Sequence, residues 1–275
     1  MNKEKRLNLI RKLFIIIFLI IYLIPLYVAA VNVFKPYEDI VKNPLGLPKS
    51  LNLDNFKLAI QKTNVFQLYA NSAVITIGSL LILVFTSSLL AYVIARRKGK
   101  AYKFIFMFVL AGMMVPQQMV LIPSIKTLRT LNLLHTLPGM LLFYGGTYIS
   151  LGFFLYVQFI KTIPISLEEA ATIDGASQYQ IFWKIIFPLL KSCTATVIIF
   201  LGMWIWNDFL PPMYILGSDN GRTITTGIYS AIGRFTTDWN IVFAFVILAS
   251  LPIIIVYLCM QKQFLRGMTA GSVKG

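Results

Sequence analysis

Charge, cysteine and histidine are all scarce in this chain, and each shortage excludes something. Only 13% of the 275 residues are Asp, Glu, Lys or Arg, against about 25% in a soluble domain. A water-facing surface of ordinary extent is therefore excluded. There are two cysteines, Cys193 and Cys259, and one histidine, His135. No C-x-x-C or His-rich spacing exists, so neither a disulfide framework nor a metal site is expected. Both cysteines lie at or inside apolar runs and read as small buried hydrophobes. No Ser/His/Asp or Cys/His constellation can be assembled around His135, which reads as solvated loop surface, and a membrane enzyme is disfavoured. A G-x-x-x-x-G-K-[ST] phosphate loop is also missing, so any nucleotide hydrolysis belongs to another chain.

What is present is hydrophobic length. Apolar residues make up 57% of the chain and gather in six runs: Leu13–Val33, Ala73–Ala95, Phe104–Ile122, Gly139–Ile160, Thr194–Tyr214 and Val242–Met260. Each is close to the roughly 20 residues that cross a hydrocarbon core of about 30 Å. The expected fold is all-α and polytopic, with six transmembrane helices in a single domain over 1–275 and no room for a soluble one. The first run has a basic start, but it exceeds the 7–15 apolar residues of a signal peptide and is read as an uncleaved span.

The net charge of +15 is arranged for a bilayer and not for nucleic acid. Lys3, Lys5, Arg6, Arg11 and Lys12 precede the first span. Arg96, Arg97, Lys98, Lys100 and Lys103 fill the second loop. Lys161, Lys184 and Lys191 flank the fourth, and Lys262, Arg266 and Lys274 follow the last span. All of these fall on one side of a six-span topology. Basic excess marks the cytoplasmic face, so both termini are expected there.

Loop one, from Phe34 to Ser72, holds three prolines before an amphipathic stretch from Asn52 to Tyr69, which is expected to lie along the membrane or on the helix ends. The third run is broken by Pro116, next to Gln117 and Gln118. Freed backbone groups in lipid need a neighbouring helix or a wet cavity. The two glutamines are thus either pathway-lining residues or interhelical hydrogen-bond partners. Gly145, Gly146 and Gly152 favour close helix approach. Asp208, beside Asn207, is the sole acidic residue in any run. An intramembrane carboxylate is usually functional, yet its place near the outer end of span five also suits interfacial anchoring.

The fourth loop, 164–188, is longer than a plain connector needs. Ser166-Leu167-Glu168-Glu169 matches a capping box, which predicts a short helix from Leu167 to Asp174 ended by Gly175. Ser177-Gln178-Tyr179-Gln180 matches a second, opening a helix with Ile181, Phe182, Ile185 and Ile186 on one side. Ala170, Ala171 and Ala176 supply small side chains. The result is either a surface shaped for a partner or a loop packed on its own bundle.

Glu169-Ala170-Ala171, followed by Gly175, Ile185 and Phe187-Pro188, resembles the EAA signature of ABC importer permease subunits; Phe187 stands where that pattern has Leu. Ala91-Tyr92-Val93-Ile94-Ala95-Arg96 is similar to permeases of carbohydrate importers. The tail from Gln263 to Gly275 resembles the end of the shorter, maltose-permease-like subunit. This resemblance implies the type I ABC importer permease fold, in the bacterial cytoplasmic membrane. It implies a non-catalytic subunit of an ATP-driven, binding-protein-dependent sugar importer. Its partners would be a homologous second permease subunit, two cytoplasmic ATPase subunits, an extracytoplasmic sugar-binding protein and membrane lipid. ATP and Mg would be held by the ATPase, with no cofactor in this chain. Glu169, Ala170, Ala171, Asp174, Gly175, Ile185 and Pro188 are then the candidate ATPase-coupling residues. Gly267, Thr269, Ala270 and Gly271 are candidate contacts of a cytoplasmic tail, 261–275, too polar and Gly-rich to fold alone. Gln117, Gln118, Asn207 and Asp208 are candidate pathway residues. An ion-gradient-driven transporter is the alternative, disfavoured because only Asp208 could serve it.

Overall fold

The computed structural model describes residues 3–62, 64–217, 223–234 and 238–270. Every regular element among the described residues is a helix. Four helices are long and apolar enough to cross a membrane: α1 (Lys3–Asn32), α4 (Val65–Arg96), α7 (Leu137–Ile160) and α14 (Trp239–Ala270). Between α1 and α4 lie α2 (Tyr37–Lys42) and α3 (Asp54–Lys62). The amphipathic stretch of loop one is therefore only partly a separate helix, because the second span already begins at Val65.

The remaining two spans are bent. The third expected span, Phe104–Ile122, is not one straight helix. Instead α5 (Lys100–Ala111), extended by a tight 3-10 turn over Gly112–Met114, meets α6 (Gln117–Thr130) at 103°. The cause is local. Pro116 has no N–H to donate and forces Val115 into an extended conformation, φ −87° and ψ 116°. The fifth is bent too. The cytoplasmic segment Gln178–Leu189 turns by 69° into α11 (Lys191–Asn207). That helix stops at Asp208, whose backbone is extended, before the short α12 (Leu210–Ile215). The expected continuous helix Thr194–Tyr214 is therefore interrupted. Further along, α13 covers Ile224–Arg234.

The chain forms two compact units, one from 1–65 with 227–252 and one from 66–226 with 253–275. In the first, Lys35 is only 2% exposed. Its Nζ donates to Asn32 Oδ1 at 3.0 Å and to the Asn43 carbonyl at 2.9 Å. Asn55 Nδ2 donates to the carbonyls of Val33 and Lys35, and Asn240 Nδ2 donates to Asn55 Oδ1 at 2.7 Å. Buried polar groups must be satisfied, and this network pins the end of α1 to α3 and α14.

In the second unit α7 packs against α11 and α4, burying Leu83, Tyr144, Phe153, Tyr156, Val197 and Leu201. Close approach is set by glycine. A Cβ at Gly152 would lie 2.8 Å from Ser87 Oγ, and one at Gly145 would lie 3.0 Å from Ile82 Cγ2. Gly146 departs from the expectation: nothing lies within 4 Å of its would-be Cβ. Gly152→Val is expected to lower the thermal midpoint of detergent-solubilised protein, by an overpacking cost of about 1–3 kcal/mol. Gly146→Ala, with open space for its Cβ and about 0.5–1 kcal/mol of helix propensity to gain, should not lower that midpoint, and an equal loss in the two variants would refute this packing account.

Candidate functional site

The fourth loop folds as two helices, as its turn residues demand. The first, α8, runs Ser166–Ile173. It ends where Gly175 adopts φ +83°, a conformation costly for any residue with a Cβ. Gly175 N–H donates to the Thr172 carbonyl and Ala176 N–H to the Ala171 carbonyl, the paired bonds of a Schellman end. The second begins with the capping box at Ser177 and Gln180. Gln180 N–H donates to Ser177 Oγ, and Ser177 N–H to Gln180 Oε1. It continues as α9 (Gln178–Ile181), a wide π turn over Phe182–Ile186, and α10 (Phe187–Leu189). Pro188 cannot donate to the carbonyl four residues back, which leaves the preceding turn free to widen.

The other expected capping box does not form. Ile165 is already helical, so Ser166 sits inside the helix, where its hydroxyl does not reach a cap amide. The acidic pair divides its work differently from the expectation. Glu169 is exposed, whereas Glu168 points inward. Its Oε1 accepts from Arg96 Nε at 2.6 Å and its Oε2 accepts from the Tyr92 hydroxyl at 2.8 Å. Arg96 Nη2 also donates to the Ile163 carbonyl at 3.0 Å. Both charged side chains are 13% exposed. The end of α4 is thus tied by charge to the first turn of α8.

Apolar contacts extend that tie. Phe187 stacks on Phe85 of α4 at 6.3 Å, Trp183 lies 5.7 Å from Phe85, and Phe182 packs 5.2 Å from Tyr92. Ile181, Phe182 and Ile186 are buried, and Ile185 packs on the same core. Of the remaining candidates, Ala170, Asp174, Gly175 and Pro188 are exposed. Ala171 is buried in the core, so it contributes no open small-residue surface here. Two apolar residues of α8 that the sequence reading passed over are also exposed: Leu167 at the edge of the packed face, and Ile173 on the opposite side at 86% exposure.

A second polar cluster lies at the bend of the third span. Asp208 Oδ2 accepts from Gln117 Nε2 at 3.0 Å and from the Tyr144 hydroxyl at 3.1 Å, and its Oδ1 accepts from Phe209 N–H at 2.9 Å. The Tyr148 hydroxyl donates to Gln117 Oε1 at 3.3 Å. Gln117 and Asp208, 91 residues apart, therefore meet, and α6, α7 and the end of α11 are joined through them. Gln118 and Asn207 stay outside this cluster. Gln118 is exposed, and Asn207 Nδ2 bonds back to the Met203 carbonyl of its own helix. A cavity of about 450 Å³ opens beside the bend, between Gly112, Val115, Ser124, Thr127, Gly146 and Ser150. None of the four candidate pathway residues lines it. His135 is exposed, as expected of solvated loop surface, and it also holds a tight turn with φ 63°, its backbone N–H donating to the Ile215 carbonyl at 2.8 Å.

Residues 87–270 match the model of the binding-protein-dependent transport system inner membrane components. The chain belongs to that family. This permease is 38% identical over 94% of both chains to a probable starch degradation products transport system permease protein of Thermoanaerobacterium thermosulfurigenes. It is 36% identical, over the full length of both, to a multiple sugar-binding transport system permease protein of Streptococcus mutans. Its fold matches a chain in the crystal structure of a bacterial ABC transporter that imports the polysaccharide alginate. That match has a TM-score of 0.86 over 96% of this chain and 99% of the other, at 21% identity. The permease is thus a multi-pass protein of the cytoplasmic membrane, from a family without catalytic chemistry of its own.

The permease's tail is more regular than its composition suggests. The backbone of α14 remains helical through Gly267, Thr269 and Ala270, and Gly271 lies outside the described residues. Continuing an established helix avoids the nucleation cost that keeps an isolated polar segment unfolded. Sequence reading of the site missed Glu168, Arg96, Tyr92, Tyr144 and Tyr148. One signal was available: Glu168 shares a helical face with Ala171, three residues on, and an acid on a buried face needs a cation.

Proposed function

We propose that this permease imports an oligosaccharide and is driven by cytoplasmic ATPase subunits that grip residues 164–188. A sugar-binding protein delivers the cargo outside, and a second, homologous permease subunit completes the pore. The sugar relatives support the cargo class. The observation that carries the coupling role is the two-sided character of α8. Its inner face is tied to α4 through Glu168 and Arg96, while Ile173 on its outer face is bare. A partner seated on that face would move the span along with the loop. Glu169, Ala170, Asp174 and Gly175 lie on this open side and are assigned to the contact. An ion-gradient mechanism needs an ionisable group free to cycle, whereas the Asp208 carboxylate is engaged by three donors.

Ile173→Asp places a charge where an apolar contact is proposed. Recovery of the ATPase with the purified permease is expected to fall by about tenfold or more, since burying one Ile is worth about 1.5–3 kcal/mol. Membrane insertion should be unaffected, because the side chain touches little of the permease itself. Wild-type recovery of the ATPase in this variant would remove α8 from the contact.

A further inference from the structure

A second cavity, of about 530 Å³, lies at the cytoplasmic end of α4 and α5. Its walls bring together Arg97, Lys98, Lys100 and Lys103 from the second loop and Lys161 from the end of α7, with Tyr102 between them. No acidic residue lines it, and none of the five cations pairs with a carboxylate among the described residues. Lys161 is held there by the face of Phe106, 5.2 Å from the ring centroid. The N-terminus of α5 also opens onto this place, with Gly99 as its cap, no side-chain cap hydrogen bond and no acidic residue in its first turn. Orienting the chain in the membrane needs a basic excess in the loop. It does not need a lysine from another loop to converge on the same cavity. Like charges gathered without a counterion repel one another, so the cavity is built for an anion.

The surface beyond the cavity narrows the anion's class. Along α5, Lys100, Phe104 and Phe108 recur at four-residue spacing and so share one face, and Lys103 is followed likewise by Met107. Phe104, Met107 and Phe108 are all exposed, and the two phenylalanine rings stack at 6.2 Å. A cationic bowl at the membrane surface thus continues into an apolar stripe running toward the bilayer centre. That is the shape of a phospholipid: a phosphate group above and acyl chains below. We propose that this cavity binds the phosphodiester headgroup of an anionic phospholipid in the cytoplasmic leaflet, with the acyl chains lying along α5. Arg96, next in sequence to the cavity wall, holds Glu168, so lipid in this site would brace the α4 end of the tie to α8.

Native mass spectrometry of the full chain in neutral detergent tests the proposal, with phosphatidylglycerol and phosphatidylcholine of identical acyl chains as probes. Phosphatidylglycerol should be retained in preference to phosphatidylcholine. K100Q with K161Q should weaken its binding by about 25-fold, at about fivefold for each lysine near a membrane surface. K100R with K161R should keep it, which separates loss of charge from loss of folding. K184Q with K191Q, on the same side but away from the cavity, should change nothing. Equal retention of the two lipids, or undiminished binding in K100Q with K161Q, would overturn the assignment. So would displacement of the lipid by millimolar inorganic phosphate, which would make the cavity a site for free phosphate.

Discussion

Glu168→Ala is expected to lower the stability of the permease by about 3–5 kcal/mol, because it strands the Arg96 charge in a largely dry site. The Glu168 carboxylate is the sole acidic partner of Arg96 among the described residues, and it also accepts the Tyr92 hydroxyl. Removing it leaves the guanidinium with only the Ile163 carbonyl and the Tyr92 hydroxyl with only Gln178 Oε1, at 3.5 Å, and leaves the positive charge unneutralised. The neighbouring Glu169→Ala should cost little, since that side chain faces outward. Replacing both charges together, Arg96→Met with Glu168→Leu, should recover most of the lost stability, as apolar pairs often substitute for buried ion pairs. Thermal unfolding of the four proteins in detergent measures all of this. If α8 transmits motion to α4, the double variant should still transport poorly despite its restored stability. Similar midpoints for Glu168→Ala and Glu169→Ala would show that the tie does not hold the loop.

Asp208→Ala should be nearly as damaging, by a different route. It deprives Gln117 Nε2, the buried Tyr144 hydroxyl and Phe209 N–H of their acceptor. Only Tyr144 is fully buried, so at about 1–3 kcal/mol for a buried donor left unsatisfied, and less for the two half-buried residues, the expected loss is about 2–5 kcal/mol. Asp208→Asn keeps one carbonyl oxygen and should lose less, about 1–2 kcal/mol. The consequence is local as well as global. Gln117 opens α6 directly after the break at Pro116, so freeing it should loosen the bend between α5 and α6. Faster amide exchange over residues 112–120 in Asp208→Ala, with α4 unchanged, would show this. A midpoint equal to wild type would mean that the cluster is incidental to the bend.

These two residues also mark where reading the chain in one dimension stops. Spans, turns and caps depend on neighbours a few positions away. Apolar runs therefore announced six crossings, Gly175 announced the end of α8, and Ser177 with Gln180 announced a cap that forms as expected. The helix break at Pro116 was equally visible, since it needs only a missing N–H. Its 103° angle was not, because that depends on what α6 packs against. The first capping box failed for a related reason. The pattern was present, but the chain entered the helix one residue early, with Glu168 turned inward to Arg96 and Glu169 outward.

Sequence alone determined that this protein is a helical membrane protein, which side of it is basic, and where its cytoplasmic loop turns. Those properties come from composition, periodicity and local backbone chemistry; that it is a permease came from its resemblance to a known family. Only the tertiary structure decided that Glu168 and not Glu169 holds α4. It also decided that Asp208 joins Gln117 and Tyr144, and that Lys161 completes a cavity begun at Arg97. Each of those pairings spans dozens of residues, and a charge or hydrogen bond over such a separation exists only once the helices between have packed.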